Sequence, residues 1–179
     1  MVLHEAGIVH CDVKPENILM GLWNFSGVAH LVDFGLGNTI YDKNGSHIKV
    51  KTGLPLIGTA AFASPNSHMG YELSRRDDLI SLGYLVYYMF YGSLPWIFIS
   101  DLNSSQCGKV AQIKACFTKG VEASMAPKAF KDYLEYCLEL DFDEIPDYKM
   151  LLGLIENLAT VKGIDLFDNC FDWNILKAS

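Results

Sequence analysis

The chain has 179 residues, 50% of them apolar and 20% charged, with a formal net charge of −7. That length and balance describe one folded domain, which buries roughly 70% of its unfolded surface, and exclude a disordered chain. The acidic excess argues against nucleic acid and acidic membrane surfaces as main partners.

The five cysteines (Cys11, Cys107, Cys116, Cys137, Cys170) are odd in number and widely spaced. With no C-x-x-C pair they imply reduced thiols in an intracellular protein, cytoplasmic or nuclear, rather than a disulfide frame or a zinc site. Residues 1–5 show neither a basic start nor an apolar run, so no secretory signal is expected. The glycosylation sequons at Asn24 and Asn103 therefore carry little weight.

Gly7 fits a helix C-cap, although only a turn or so of helix can precede it. Ile8-Val9 then enters His10-Cys11-Asp12-Val13-Lys14-Pro15-Glu16-Asn17-Ile18-Leu19. Taken locally this is a capped turn, since Asp, Asn and Pro are all good turn residues. Taken with a second landmark downstream, it resembles the protein-kinase catalytic loop, His-Arg-Asp-x-Lys-Pro-x-Asn, with cysteine in place of arginine. The resemblance implies that Asp12 orients the substrate hydroxyl and accepts its proton, while Lys14 offsets charge on the migrating phosphoryl group. It implies that Asn17 gives an oxygen to Mg²⁺ and that Leu19 forms the floor beneath adenine. These residue types suit the reaction. Phosphoryl transfer asks the protein for positioning and charge stabilisation more than covalent chemistry, and Mg²⁺ prefers oxygen ligands.

Residues 21–27 read as a loop and residues 28–32 as a short strand. The strand delivers Asp33-Phe34-Gly35, which matches the kinase magnesium-binding motif and implies Asp33 as the second metal ligand. His10 and Phe34 match the lower members of the hydrophobic stack of active kinases. Residues 36–57, polar and glycine-bearing with Lys43, Lys49 and Lys51, have the length and place of an activation loop. Gly58-Thr59-Ala60-Ala61-Phe62-Ala63-Ser64-Pro65-Asn66-Ser67-His68-Met69-Gly70 resembles the segment that the casein kinase I family carries where other kinases have Ala-Pro-Glu. There Thr59 would brace Asp12 and Lys14.

Two arginines and two aspartates, Arg75 to Asp78, lead into residues 79–99, which carry no charge. Such a run is long enough to span a bilayer, at about 20 residues. Gly83, Gly92, Ser93 and Pro95 interrupt it, and Tyr84, Tyr87, Tyr88 and Tyr91 sit mid-run rather than at the interfaces. A central helix over about 77–91, apolar all round and therefore wholly buried, is the better reading. Asp78-Leu79-Ile80-Ser81-Leu82-Gly83, followed by Gly92-Ser93-Leu94-Pro95-Trp96, resembles the casein kinase I central helix, with Asp78 as a buried anchor.

Beyond a polar stretch, Pro127 suits a first helical position, and Phe130, Tyr133, Leu134, Cys137 and Leu138 form a core-facing stripe. Leu151, Leu154, Ile155 and Leu158 mark another amphipathic helix. Asp141-Phe142-Asp143 lacks the glycine and distal glutamate of a calcium loop. Phe171-Asp172-Trp173-Asn174-Ile175-Leu176-Lys177 is similar to the end of the casein kinase I catalytic domain.

The expected fold is mainly α (α+β), a kinase-like C-lobe around the central helix with short β-hairpin elements at the cleft. It would occupy residues 1–179, with the catalytic loop at 10–19, the Asp-Phe-Gly motif and activation segment at 33–70, and C-terminal helices over about 109–160. The resemblance implies a serine/threonine protein kinase using ATP and Mg²⁺ on protein substrates. A kinase also needs a glycine-rich loop, a strand lysine and its helix glutamate, none of which fits ahead of His10. The chain as given is thus expected to be inactive alone, with Leu19 and Phe34 beside an apolar patch that a partner chain could cover. Two departures concern anions. Cys11 cannot make the bidentate phosphate contact of the arginine it replaces. Ala61 and the cation-free residues 101–107 stand where the family's basic anion site is expected. The rival readings are a non-catalytic binding module and a membrane protein.

Overall fold

The computed structural model describes residues 2–22, 27–97, 104–120, 126–166 and 168. The expected family-like terminus at 171–177 and the sequon asparagines Asn24 and Asn103 lie outside them. Helix α1 (Val2–Glu5) precedes strand β1 (Ile8–Val9), and a 3-10 turn (Pro15–Asn17) runs into β2 (Ile18–Met20). Strands β3 (Ala29–Leu31) and β4 (Asn38–Thr39) follow, and the remaining elements are helical: α2 (Pro65–His68), α3 (Arg75–Tyr91), α4 (Ser104–Ala115), a 3-10 turn (Phe117–Lys119), α5 (Lys128–Glu139) and α6 (Tyr148–Lys162). The fold is mainly α, with two small antiparallel sheets. In one, Ile8 faces Thr39 and Val9 faces Asn38; in the other, Ile18 faces Leu31 and Leu19 faces His30. The two antiparallel pairs, β1 with β4 and β2 with β3, hold residues 10–17 at both ends.

Helix α3 is the axis of the core. Ile80, Tyr84 and Leu85 are almost fully buried, alongside Leu134 and Cys137 of α5 and Trp96 beyond the helix. Close approach of α3 to α5 depends on Gly83. A Cβ there would lie 2.5 Å from Leu134 Cδ2 and 3.1 Å from Tyr133 Cε1. Edge-to-face ring pairs, Tyr84 with Trp96 and Trp96 with Phe117, carry the core towards the end of α4.

Two expectations about α3 need correction. It starts at Arg75, because Arg75 and Arg76 are first-turn residues rather than charged leaders. Their guanidinium groups are turned inward on backbone carbonyls: Arg75 donates to Asp143 and Glu144, and Arg76 to Leu140. Asp77, at the third helical position, accepts from the Ser74 amide and closes one half of a capping box. Nor is the helix wholly buried. Met89 is 72% and Phe90 61% exposed, because no described element covers the last turn on that side. At α5, Pro127 sits one residue before the helix, as its cap, instead of at the first helical position. No helix among the described residues is long and apolar enough to cross a membrane.

Candidate active site

The site begins with a buried carboxylate that is not itself in the cleft. Asp78, in the first turn of α3, accepts from the His10 amide at 2.7 Å through Oδ2 and from the Cys11 amide at 2.8 Å through Oδ1. His4 Nε2 lies 3.0 Å from the same Oδ2, and the Tyr148 hydroxyl lies 2.7 Å from His4 Nδ1. Three elements far apart in sequence thus fix two consecutive amides of the loop. Held this way, Cys11 adopts φ +66°, a left-handed conformation uncommon outside glycine, asparagine and aspartate. Its thiol is pushed up by burial first and by the neighbouring Asp78, Asp77 and Glu72 charges second.

The turn at Cys11 presents Asp12, which is 9% exposed. Asp12 Oδ1 accepts from both the Thr59 amide and the Thr59 hydroxyl at 2.8 Å. Oδ2 is 2.8 Å from Lys14 Nζ and 3.3 Å from Asn17 Nδ2. Lys14 Nζ also donates to Thr59 Oγ1 at 2.9 Å, and Asn17 Nδ2 to the Asp12 carbonyl at 2.9 Å. Thr59 reaches this place because Gly58 precedes it with φ +84°, where an added Cβ would meet the Cys11 carbonyl oxygen at 2.5 Å. Burial alone would raise the Asp12 carboxyl. The bonds from Lys14 and Thr59, with the Lys14 charge, outweigh it and hold the carboxyl below its ordinary range. The Asp12 bond in turn raises the Lys14 ammonium against a smaller burial effect, with the Asp12, Glu16 and Asp33 charges adding to it.

Of the residues singled out from sequence, Asp12, Lys14, Asn17 and Thr59 form one hydrogen-bonded cluster. Asp33 lies close enough for its charge to act on Lys14, and its φ of +62° is the second left-handed non-glycine backbone among the described residues. Phe34 stacks edge-on to His10, with ring centroids 5.0 Å apart, and His10 Nε2 is bonded to the Val32 carbonyl at 2.9 Å. Leu19 stands apart on β2, 53% exposed, and Phe34 is 49% exposed.

Sequence reasoning missed the braces around the 58–68 segment. Lys114 of α4 is fully buried and donates to the Ala60 and Ala63 carbonyls at 2.7 and 2.6 Å, with His68 Nε2 at 3.1 Å. Its ammonium also lies 5.2 Å from the ring centroids of Tyr84 and Trp96. The available signal was its place on a helical stripe with Val110 and Ala111, the other buried positions among the described side chains of α4. Trp96 Nε1 donates to the Ala61 carbonyl, and Ser64 and Asn66 donate to Asp77.

A family model for the protein kinase domain matches residues 1–152, most of the chain. The chain belongs to the protein kinase family. Protein kinases use ATP with Mg²⁺ and act on protein substrates. The donors at this site fit such a cation. The Asn17 amide nitrogen is taken by Asp12, which leaves its oxygen available. Asp33 is exposed and spends Oδ1 on a 3.2 Å bond from the Gly35 amide, leaving Oδ2 available. Two protein oxygens suffice for Mg²⁺, which keeps several waters and shares phosphate ligands. No three His, Cys, Asp or Glu side chains gather as a metal site among the described residues.

Proposed function

We propose that residues 1–179 are the C-lobe of a casein-kinase-I-like serine/threonine kinase. In the complete enzyme Asp12, Lys14, Asn17 and Asp33 would serve transfer of the ATP γ-phosphoryl group to a serine or threonine hydroxyl. The observation that carries this reading is the Asp12 cluster. Thr59 fixes Asp12 Oδ1 and Lys14 flanks Oδ2. That leaves a carboxylate which is deprotonated at neutral pH and restrained in orientation, as an acceptor for a substrate hydroxyl must be. Asn17 and Asp33 would hold Mg²⁺, which neutralises charge on the phosphates, and Lys14 would stand beside the transferred group. Leu19 would supply the apolar surface under adenine, and Thr59 acts as a positioning residue.

The casein kinase I assignment rests on sequence likeness at residues 58–70, 78–96 and 171–177. Ala61 in place of a cation supports a weakened preference for substrates already carrying a phosphate. A glycine-rich loop and strand lysine, supplied by preceding residues or by another chain, would complete the cleft over Leu19 and Phe34.

Titration calorimetry with ATP tests the reading on this chain. Binding in the millimolar range, about −4 kcal/mol, is expected in the presence of Mg²⁺ and should be lost in Asp33→Asn. ATP binding that ignores both Mg²⁺ and the Asp33 substitution would overturn the metal assignment and leave a kinase-like binding module as the better account.

A further inference from the structure

Thr59 holds Asp12 Oδ1, and Thr59 is itself held by the turn it begins. Its carbonyl accepts from the Phe62 and Ala63 amides at 2.9 and 2.8 Å, so residues 59–63 form one tight unit. The carbonyls of Ala60, Ala61 and Ala63 are taken by side chains from outside that unit. Lys114 Nζ donates to Ala60 and Ala63 at 2.7 and 2.6 Å, and Trp96 Nε1 donates to Ala61 between them at 2.7 Å. His68 Nε2 lies 3.1 Å from Nζ, so three acceptors surround the three protons of an ammonium.

Stability alone does not account for a lysine at this place. Lys114 is fully buried, and no carboxylate pairs with it among the described residues. Burial alone pushes its ammonium well below the ordinary lysine range. A buried charge without a counter-ion is costly, and an apolar side chain of similar volume against the Tyr84 and Trp96 rings would avoid that cost. What an apolar side chain cannot do is donate to two carbonyls. We infer that Lys114 is a positioning residue for Asp12. By fixing the Ala60 and Ala63 carbonyls it sets the turn that presents the Thr59 amide and hydroxyl to Oδ1. Its effect runs through Thr59, the neighbour of Ala60. The role serves catalysis only if Asp12 accepts the substrate hydroxyl's proton as proposed above, whereas the geometry it sets is readable without ATP.

Lys114→Met removes the donors while keeping a long, unbranched side chain. Amide hydrogen exchange and the Thr59 amide proton shift are read by NMR on the full chain, with Asp12→Ala as the reference for a Thr59 amide that has lost its carboxylate. In Lys114→Met the Thr59 amide should exchange at least about tenfold faster, while the Leu85 and Leu134 amides keep their protection. Its proton should move in the direction seen in the reference. If the Met variant fails to fold, Lys114→Gln, a shorter side chain able to donate to one carbonyl, is read the same way. Equal loss of protection at all three amides, or failure of both variants to fold, would overturn the inference by making Lys114 a residue of stability. So would an unchanged Thr59 in the folded variant, which would leave the Trp96–Ala61 bond as sufficient support. None of these readings involves ATP, so they fail or succeed independently of the calorimetric test at Asp33.

Discussion

Replacing Asp78 with asparagine changes one oxygen to an amide and removes a charge, with almost no change of shape. The carboxylate now serves three donors: the His10 amide, the Cys11 amide and His4 Nε2. An asparagine can turn its remaining oxygen towards His10 or towards Cys11. In either pose its NH₂ faces the other backbone N–H, donor against donor. His4 can accommodate both poses by changing tautomer, since the Tyr148 hydroxyl is able to donate or accept. The net loss is one charge-assisted bond and one buried amide left without an acceptor, roughly 2–4 kcal/mol. For a chain of this size each kcal/mol moves Tm by about 2–4 °C, so a fall of roughly 4–16 °C is expected. Thermal unfolding followed by far-ultraviolet circular dichroism measures it, and amide exchange at His10 and Cys11 locates it. A fall under about 2 °C, with those two amides exchanging at their original rates, would refute the account of Asp78 as the loop's anchor.

Burial, reinforced by the Lys114 charge and opposed by the Ala60 carbonyl, drops the His68 pKa from 6.5 to about 4. The unfolded chain therefore binds this proton more readily, and stability should decline as pH falls from 6.5 towards 4. His68→Gln should flatten that part of the Tm–pH curve; an unchanged slope would exclude His68 as its source. Gly83→Ala should destabilise by about 1–3 kcal/mol through overpacking against Leu134 and Tyr133, read from urea unfolding with an unchanged m-value.

The catalytic-loop region was the most legible part of the sequence because its special residues are close together and each has few substitutes. His10, Asp12, Lys14 and Asn17 lie within eight residues, at the offsets of the kinase catalytic loop that the stretch resembles. Thr59 came from the likeness of residues 58–70, not from spacing, since 45 residues separate it from Lys14. What stayed hidden depends on distant partners. Nothing local marks Arg75 as a buried residue, because the carbonyls that receive it, at Asp143 and Glu144, come from the turn between α5 and α6. Lys114 was hidden for the same reason. A lysine reads as solvent-facing until backbone carbonyls and two rings are known to surround its ammonium. The His4–Tyr148 contact joins residues 144 apart, beyond any periodicity argument. The exposed last turn of α3 was misjudged because an uncharged helix describes what it could bury, while exposure depends on which neighbours the chain provides.

The two left-handed residues, Cys11 and Asp33, set stability and chemistry against each other. Each holds a backbone conformation that disfavours most side chains by roughly 1–3 kcal/mol. Glycine would relieve that strain and give back only part of it, about 0.4–1 kcal/mol, through a freer unfolded chain. A population of variants selected purely for heat resistance would therefore drift to glycine first at position 11, and more weakly at position 33, where aspartate tolerates the left-handed region better than cysteine. At position 33 the drift would erase the carboxylate on which the proposed metal site depends. At position 11 it would leave the carboxylate of Asp12 untouched. Thermostability selection on this scaffold would thus strip one half of the cleft while sparing the other, and an engineer who wants both properties must hold Asp33 fixed.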